Sequence, residues 1–518
     1  MKKRFFVLSD LLFILSAISI LLIFGYRFMN ADGDILWHIK QGEWYIANGT
    51  WYLNKELFTF LYDFQKWSYL SWLGDVVFAF INSKFGFKGL ILFTDIYIVF
   101  TLYMMYRYLV KKGVNVFVVL FVFMAGYGLI STHWIVRNHI FGHIFLIIWF
   151  IVIEKFYEGK NRWMIWTLPI LNIIWVNFHG SFLYGLTIPF FFACAAFYEW
   201  IIKKDIKRKK DYFLLTALCF ILVGTAVVNP YGIDFFVDFV KSWGLGGALL
   251  VGFIGDFSSP DFQSGLAFQM NIFFGIVIFS LIYFRKRIKI EYSLILIYYI
   301  YRAVQFSRDL SILGILALLI VPQILNQNIN IESENRFIAG IRNMAVKIRD
   351  SEIKKAGYSV VFTIIFSVLL IIYIPGINKQ LNEYSKINES IFPVKAVEYM
   401  KKNNIKGRML NNYLYGGYLI WKYYPEKVTF CDTRGTFFKL EDYMPYMRAL
   451  AGSPEYIDVI KKYKIEYIII NKNRDTGIYN VLKNEKQVNI IYQDDFTVLY
   501  KVNIGMGGNN EKKINNSK

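Results

Sequence analysis

The residues best suited to catalysis lie in the segment ADGDILWH, where Asp32 and Asp34 flank Gly33. Glycine allows a tight turn at this point, so the two carboxylates can converge on one site. Such a pair can hold a divalent cation together with substrate phosphates, or one member can act as a general base. We therefore predict catalytic roles for Asp32 and Asp34, which would also be the ligands of Mg²⁺ or Mn²⁺ if a metal is used.

Further polar residues stand at the predicted ends of apolar segments, where an ionisable side chain often marks a site because it is costly at membrane depth. All five histidines are predicted to lie on the extracytoplasmic face: His38 in the first outer loop, His133, His139 and His143 at one turn between apolar runs, and His179 at another. A lone histidine near a helix end is more often an interfacial residue with a satisfied hydrogen bond, and this interpretation is preferred for His133 and His143. The residues predicted to bind substrate are His38, Arg137, His139, Asn177, His179, Asn229, Tyr231 and Arg308.

The composition indicates that a membrane positions these residues. Of the 518 residues, 56% are hydrophobic and 19% are aromatic, which exceeds the usual composition of a soluble protein. Apolar runs of about 16 to 22 residues recur between clusters of Lys and Arg, and a helix needs ~20 residues to cross a bilayer. The net charge of +20 includes many basic residues in the loops between these runs. That distribution fits the positive-inside rule, with anionic membrane lipids as partners, and argues against nucleic acid.

The apolar runs predict an α-helical polytopic protein of the plasma membrane, with a cytoplasmic N-terminus and about eleven transmembrane helices in residues 1–376. Residues 29–87 are predicted to be the first extracytoplasmic loop, with interfacial helices on the membrane surface. Ser71–Phe85 belongs to this loop because a span there would move the later basic clusters to the wrong side. The predicted spans cover residues 5–28, 88–106, 114–130, 140–153, 163–202 (two spans), 213–228, 268–284, 293–305, 310–325 and 359–374.

An extracytoplasmic α/β domain is predicted for residues 377–505, where charged residues become frequent and no run is long enough to cross a bilayer. Helices are predicted for AVEYMKKNN and the start of PEYIDVIKKYKIEYIIINKN. Strands are predicted for KGRMLNN, KVTFCDTR and the end of that long segment, and a hairpin for QVNIIYQDD with FTVLYKV. Asp432 and Arg434 follow an apolar strand, where a structural ion pair is preferred over acceptor binding. The tail 506–518 is predicted to be disordered.

Several short motifs in a shared order resemble the GT-C glycosyltransferase superfamily, in particular proteins related to protein mannosyltransferases and lipid A aminoarabinose transferases. These motifs are ADGDILWHIKQGEWYIANG, WVNFHGSFLYG, VVNPYG, GDFSSPDF, YGGYLIW and VTFCDTRG. The resemblance implies a GT-C-like membrane domain, a polyprenyl-phosphate-linked sugar donor and transfer on the extracytoplasmic face. It also implies that Asp32 and Asp34 match the acidic motif of the first outer loop, and that Arg137 and Arg308 hold the donor phosphate. Asp-Gly-Asp replaces the Asp-Glu pair of the mannosyltransferases, which leaves metal dependence and the sugar open.

The resulting hypothesis is a membrane glycosyltransferase that moves a sugar from the lipid-linked donor to a glycan, lipid or protein acceptor of the cell envelope. An Asp of the first outer loop would be the base or metal ligand, because the acceptor hydroxyl must lose a proton. His38, His139 and His179 would shape the sugar pocket. The alternatives are a transporter or flippase of lipid-linked sugars, and a catalytically inactive GT-C-like protein of envelope assembly.

Overall fold

The computed structural model describes residues 7–31, 33–53, 55–62, 68–243, 257–263, 267–329, 336–354, 364, 368, 376–434 and 437–503. Asp32 and the predicted tail 506–518 therefore lie outside the described residues. The same holds for all but two positions of the predicted span 359–374. The roles predicted for these segments stay predictions.

Helices form most of the described chain before residue 376. Their order places short turns between long helices, so that residues distant in sequence meet at the helix ends. The helices are α1 Leu8–Asn30, α2 Asp34–Asn48, α3 Trp72–Lys111, α4 Val116–Ser131, α5 His139–Tyr157, α6 Leu168–Phe178, α7 Phe182–Ile201, α8 Ile206–Thr225, α9 Asp234–Trp243, α10 Ala267–Tyr283, α11 Ile290–Gln305, α12 Leu310–Ile329 and α13 Arg336–Lys354.

Within the described ranges, five helices are long and apolar enough to cross a membrane by length and composition. They are α1, α3, α5, α7 and the segment Ser307–Asn326, which includes most of α12. The shorter apolar helices are α4 and α10. The mostly helical architecture and its compatibility with membrane insertion thus agree with the sequence analysis, whereas the number of eleven spans stays a prediction.

The first loop contains α2 and the beginning of α3, and the two helices pack along each other. α3 is interrupted at Gly86, whose φ of 60° and ψ of −163° are not helical. This kink separates the stretch predicted to be interfacial from the stretch predicted to be a span. Gly42 lets α2 approach closely, because a Cβ atom there would lie 2.1 Å from the carbonyl oxygen of Asp75. The close crossing places the cavity-facing side of α2 against Asp75.

The C-terminal part folds around a four-stranded sheet of order β1-β2-β4-β3. β1 pairs in parallel with β2, whereas β4 is antiparallel to both β2 and β3. The strands are β1 Met409–Asn411, β2 Tyr467–Asn471, β3 Val488–Gln493 and β4 Thr497–Val502, and the helices are α14 Val394–Lys402, α15 Gly416–Tyr423, α16 Leu440–Leu450, α17 Tyr456–Tyr463 and α18 Thr476–Leu482. These elements include the predicted hairpin and both predicted helices.

The predicted strand KVTFCDTR is wrong except for isolated bridges at Thr429. The reason is the side chain of Asn411, which takes the place of a strand partner. Its amide oxygen accepts from the N–H of Phe430 at 2.9 Å, and its amide nitrogen donates to the carbonyl of Cys431 at 2.7 Å. The chain then turns at Asp432, so the backbone pairing does not extend into a strand.

The first loop and the C-terminal part form one packed structure. The Thr59 hydroxyl donates to the Thr429 carbonyl at 2.9 Å, and the Tyr62 hydroxyl donates to Asp442 at 2.7 Å. At the other end of the loop, a Cβ on Gly417 would lie 2.2 Å from the carbonyl oxygen of Gly33. This glycine therefore permits α15 to rest against the turn that precedes α2, and the C-terminal part fixes where α2 begins.

Candidate functional site

A cavity of about 550 Å³ lies where the first loop, the ends of several helices and the C-terminal part meet. Its walls come from the start of α2, the segment before α3, and the turns before α5, α7 and α12, together with residues 433 and 434. The charged and imidazole-bearing side chains that line it are Asp34, His38, Arg137, His179, Arg302, Arg308 and Arg434. Five of these, namely Asp34, His38, Arg137, His179 and Arg308, are site residues predicted from the sequence.

Asp34 is the first residue of α2 and is only 2% exposed. Its Oδ2 lies 2.6 Å from Nη2 of Arg137, and its Oδ1 accepts from Nε1 of Trp37 at 3.3 Å. The positive end of the α2 dipole also favours the carboxylate at this position. The side chain of Arg137 remains 30% exposed, so Asp34 holds a guanidinium at the cavity wall.

His38 lines the cavity one turn further along α2, and its ring is hydrogen-bonded to a buried carboxylate. Nδ1 of His38 lies 2.7 Å from Oδ1 of Asp75, which has no solvent exposure. The same Oδ1 accepts from Nδ2 of Asn138 at 2.7 Å and from the hydroxyl of Tyr69 at 3.2 Å. Burial, with the nearby Asp75 charge, raises the pKa of Tyr69 well above its usual value, so its hydroxyl stays a donor.

Asp75 and Asn138 are two functional candidates that were not predicted from the sequence. Asp75 lies in SWLGDVV, within the segment interpreted as an interfacial helix. The sequence signal for a site here is weak: it is a single acid among the apolar residues of a predicted surface helix. Asn138 follows Arg137, which is a predicted site residue. Gly74 leaves room for the Asn138 side chain, because a Cβ on Gly74 would lie 2.4 Å from Oδ1 of Asn138.

His179 faces the cavity from the turn between α6 and α7. Its Nδ1 accepts from the backbone N–H of Ser181 at 3.1 Å, so the proton of the neutral ring lies on Nε2. Burial, and then the positive charges of Arg308 and Arg137, lower the pKa of His179 well below its usual value. His179 is therefore a neutral ring that can donate one hydrogen bond to a ligand.

His139 belongs to a chain of imidazoles beside the cavity rather than to its lining. Its ring centroid lies 5.5 Å from that of His133, 5.9 Å from that of His143 and 6.3 Å from that of His179. Nε2 of His139 lies 2.7 Å from the His133 carbonyl oxygen, to which it donates. The structure thus places His139 behind His179, where it can support that ring.

Arg302 and Arg308 reach the cavity from either side of the turn between α11 and α12. Nε of Arg302 donates to Oδ2 of Asp309 at 2.8 Å, and its side chain is 31% exposed. The Arg308 guanidinium lies 4.6 Å from the centroid of the Phe257 ring. Asp309 also accepts from the hydroxyl of Tyr184. Arg302 was not predicted from the sequence, although YRAVQFSRD places it six residues before Arg308.

Arg434 closes the cavity on the side of the C-terminal part. Its guanidinium lies 2.7 Å from Oδ2 of Asp432, so the ion pair preferred from the sequence is present. It also binds Glu56 of the first loop, with both amino groups at 2.9 Å from the carboxylate oxygens. All three side chains are almost wholly buried. The triad therefore ties the first loop to the C-terminal part next to the cavity.

Asn177, Asn229 and Tyr231 are not among the residues that line this cavity. Asn177 accepts from Nε1 of Trp72 at 2.6 Å, and Asn229 donates to carbonyls of its own turn. The Tyr231 hydroxyl accepts from the backbone N–H of Leu53 at 3.1 Å. The contacts of Asn177 and Tyr231 hold the first loop, whereas those of Asn229 stay within its own turn, and the role of all three in substrate binding stays a prediction.

The donor set around Asp34 does not fit a metal ion in the part of the chain that the structure describes. No three His, Cys, Asp or Glu side chains come together there in a way that could hold one. Both oxygens of Asp34 face donors, from Arg137 and Trp37, which a cation would have to displace. Asp32 lies outside the described residues, so the predicted use of Mg²⁺ or Mn²⁺ stays a prediction.

No protein-family model and no curated protein matches this chain.

Proposed function

We propose that this protein is a membrane glycosyltransferase with a GT-C-like fold, which moves a sugar from a polyprenyl-phosphate-linked donor to a cell-envelope acceptor. The observation that carries the proposal is the cavity itself, where Asp34, two imidazoles and several guanidiniums face about 550 Å³. Ligand pockets of roughly 300 to 1,000 Å³ are usual for small molecules. A sugar phosphate fits this size and this set of charges.

The guanidiniums account for the phosphate of the proposed donor. Transfer of the sugar leaves negative charge on the departing phosphate, and preorganised cationic donors stabilise such charge. Arg137 and Arg302 are each held by a carboxylate and each remain about one third exposed, at 30% and 31%. Arg308 lines the same wall. The planar fork of arginine suits bidentate contact with phosphate oxygens.

The sugar would occupy the part of the cavity between α2 and the turn before α7. His179 offers one N–H donor there, and the aromatic rings of Trp37, Tyr298 and Phe235 line the walls. Aromatic faces with a few oriented polar groups are typical of pockets that fix a small ligand. His139 supports this arrangement from behind His179.

The proposed topology has a cytoplasmic N-terminus, about eleven spans and an extracytoplasmic C-terminal domain, in accord with the positive-inside rule. The lining residues Ser181, Arg302 and Arg308 stand at one set of helix ends. The basic segments 203–210 and 285–289 follow the opposite ends of α7 and α10. The cavity and the basic loops therefore belong to opposite ends of the same helices, which supports extracytoplasmic transfer at the plasma membrane.

The test uses membranes that contain the protein, incubated with a panel of radiolabelled polyprenyl-phosphate sugars, with and without EDTA. We expect label to leave the lipid, and Asp34→Asn to lower the rate by about 10²-fold or more, because it releases Arg137. Glu441→Gln, an exposed acid of α16, is the matched control and should retain the rate. Label that crosses the membrane still attached to its lipid would instead support a transporter. Label that neither moves nor transfers would support an inactive assembly protein.

A further inference from the structure

His38 and Asp75 form a dyad that opens onto the cavity. Asp75 is fully buried, and its Oδ1 lies 2.7 Å from Nδ1 of His38. Because a carboxylate oxygen accepts, this contact keeps the proton of the neutral ring on Nδ1 and the lone pair on Nε2. No hydrogen bond to Nε2 comes from the residues that the structure describes. The ring nitrogen left for a ligand is therefore a proton acceptor.

Asp34 is less suited to accept a proton. Its two oxygens already accept from Arg137 at 2.6 Å and from Trp37 at 3.3 Å. A proton on either oxygen would compete with one of these donors. Nε2 of His38 meets no such competing donor among the described residues, and the imidazolium formed when it takes up a proton would lie against Asp75.

We propose that His38 is the general base of the reaction, that Asp75 is its positioning residue, and that Asp34 acts by holding Arg137. The inference rests on the proposed glycosyl transfer. The acceptor hydroxyl oxygen attacks the anomeric carbon and forms the new glycosidic bond, while its proton passes to Nε2 of His38. The bond between the anomeric carbon and the phosphate oxygen breaks, and its electron pair leaves with the polyprenyl phosphate. His38 then returns the proton to water.

The surroundings of Asp75 are built to fix the dyad. Asn138 donates to Oδ1 of Asp75 at 2.7 Å, and Tyr69 donates to it at 3.2 Å. Gly42 and Gly74 allow the backbone segments that bear these side chains to approach closely. A Cβ at either position would overlap Asp75 or Asn138. A carboxylate held by three donors keeps the imidazole in one orientation and one tautomer.

The experiment is a double-mutant cycle of His38→Gln and Asp75→Asn, with kcat and KM for the radiolabelled polyprenyl-phosphate sugar that the wild type uses. We expect His38→Gln to lower kcat by about 10² to 10⁴-fold, the usual range for loss of a general base, with little change in KM. Asp75→Asn should lower kcat strongly in the wild type but barely further in the His38→Gln background, because residues that act as a unit are not additive. Asp458→Asn, an exposed acid of α17, should leave both constants unchanged.

Free imidazole gives an independent readout, since it should restore part of kcat to His38→Ala and much less to the variant that also carries Asp75→Asn. Wild-type kcat in His38→Gln, or an additive effect of Asp75→Asn, would overturn the assignment. If His38→Gln fails to accumulate, the isosteric Asp75→Asn decides alone, and wild-type kcat in that variant overturns the assignment. A wild type that releases no label contradicts the proposed function itself, so the two failures are distinct.

Discussion

At the scale of single residues, three arginines at the cavity are held by acids. Arg137 binds Asp34 and Arg302 binds Asp309, whereas Arg434 binds two carboxylates. The first two pairs leave the guanidinium partly exposed and so orient it towards a ligand. The Arg434 cluster is buried, so its removal should affect stability more than binding.

The first prediction concerns Arg434. Arg434→Met leaves Glu56 and Asp432 buried without their cation, and loss of one partner from a buried ion pair costs about 3 to 5 kcal/mol. Chemical denaturation of the protein in detergent should detect this loss. Arg448→Met is the control, because the pair of Arg448 and Glu455 is about half exposed and contributes at most about 1 kcal/mol. Equal stability of the two variants would contradict the role of the buried cluster.

The second prediction concerns the pH dependence that His179 contributes. Its pKa in the folded protein is lowered by burial and by Arg308 and Arg137, so the folded ring stays neutral while the unfolded ring protonates below about pH 6.5. Stability is therefore lost as pH falls below that value, by at most about 1.4 kcal/mol per pH unit. His179→Asn keeps an acceptor for the Ser181 N–H but does not titrate. The unfolding temperature of the wild type should fall more than that of His179→Asn between about pH 7.5 and pH 5.5, and parallel curves would contradict this account.

Part of the candidate site could be predicted from the sequence. An ionisable side chain next to an apolar run is costly to place in a membrane, and this signal can be recognised from neighbouring residues alone. Asp34, His38, Arg137, His179 and Arg308 were found in this way. Asp75 was missed because its burial depends on which helix crosses it, and nothing in SWLGDVV specifies that partner.

Asn177 and Asn229 show the reverse case. Their motifs, WVNFHG and VVNPYG, indicate turns, but a turn pattern does not tell whether an amide faces a ligand or its own backbone.

At the scale of elements, the crossing of α2 and α3 decides the geometry of the dyad. His38 lies one turn before Gly42 on α2, and Gly42 contacts the backbone of Asp75 on α3. Any side chain at position 42 pushes the helices apart and moves His38 from Asp75.

The strands of the C-terminal sheet were easier to predict, because alternating and apolar runs such as YIIIN are themselves typical of strands. The failed strand KVTFCDTR depended on the side chain of Asn411, which lies some twenty positions earlier.

The third prediction follows from this crossing. Gly42→Ala would place a Cβ 2.1 Å from the Asp75 carbonyl oxygen, so we expect a loss of about 1 to 3 kcal/mol and a lower transfer rate. Gly275→Ala in α10 is the matched control, since no atom lies within 4 Å of its Cβ and alanine is the better helix former. Unfolding temperatures in detergent compare the two. A Gly42→Ala protein as stable as the control would contradict the close crossing.

At the scale of the whole molecule, a charged cavity and an apolar cavity lie in different places. The charged cavity lies at one set of helix ends, whereas a second cavity of about 550 Å³ runs between α1, α3 and α4 and is lined mainly by apolar side chains such as Phe13, Leu102 and Phe123. The number of spans could not be fixed from the sequence, because α6 and α11 are shorter than the ~20 residues of a standard span and the kink at Gly86 divides α3.

The fourth prediction concerns sidedness. In a protein whose Cys194, Cys219 and Cys431 are replaced by alanine, we expect an impermeant maleimide to label Glu441→Cys on intact cells. Lys207→Cys should react only after permeabilisation, because it lies in the basic segment at the opposite helix ends. Both original residues are exposed, so access from the aqueous phase does not limit either reaction. Labelling of both from the same side would contradict the proposed topology.

The most direct test of the central claim is photo-cross-linking with a polyprenyl-phosphate sugar that carries a diazirine on the sugar, followed by peptide mapping. We expect adducts on the start of α2 and on residues 137–138, 179–184 and 302–308, and we expect the unmodified donor to compete with their formation. Adducts confined to the apolar cavity between α1 and α4, with none in the charged cavity, would contradict the central claim.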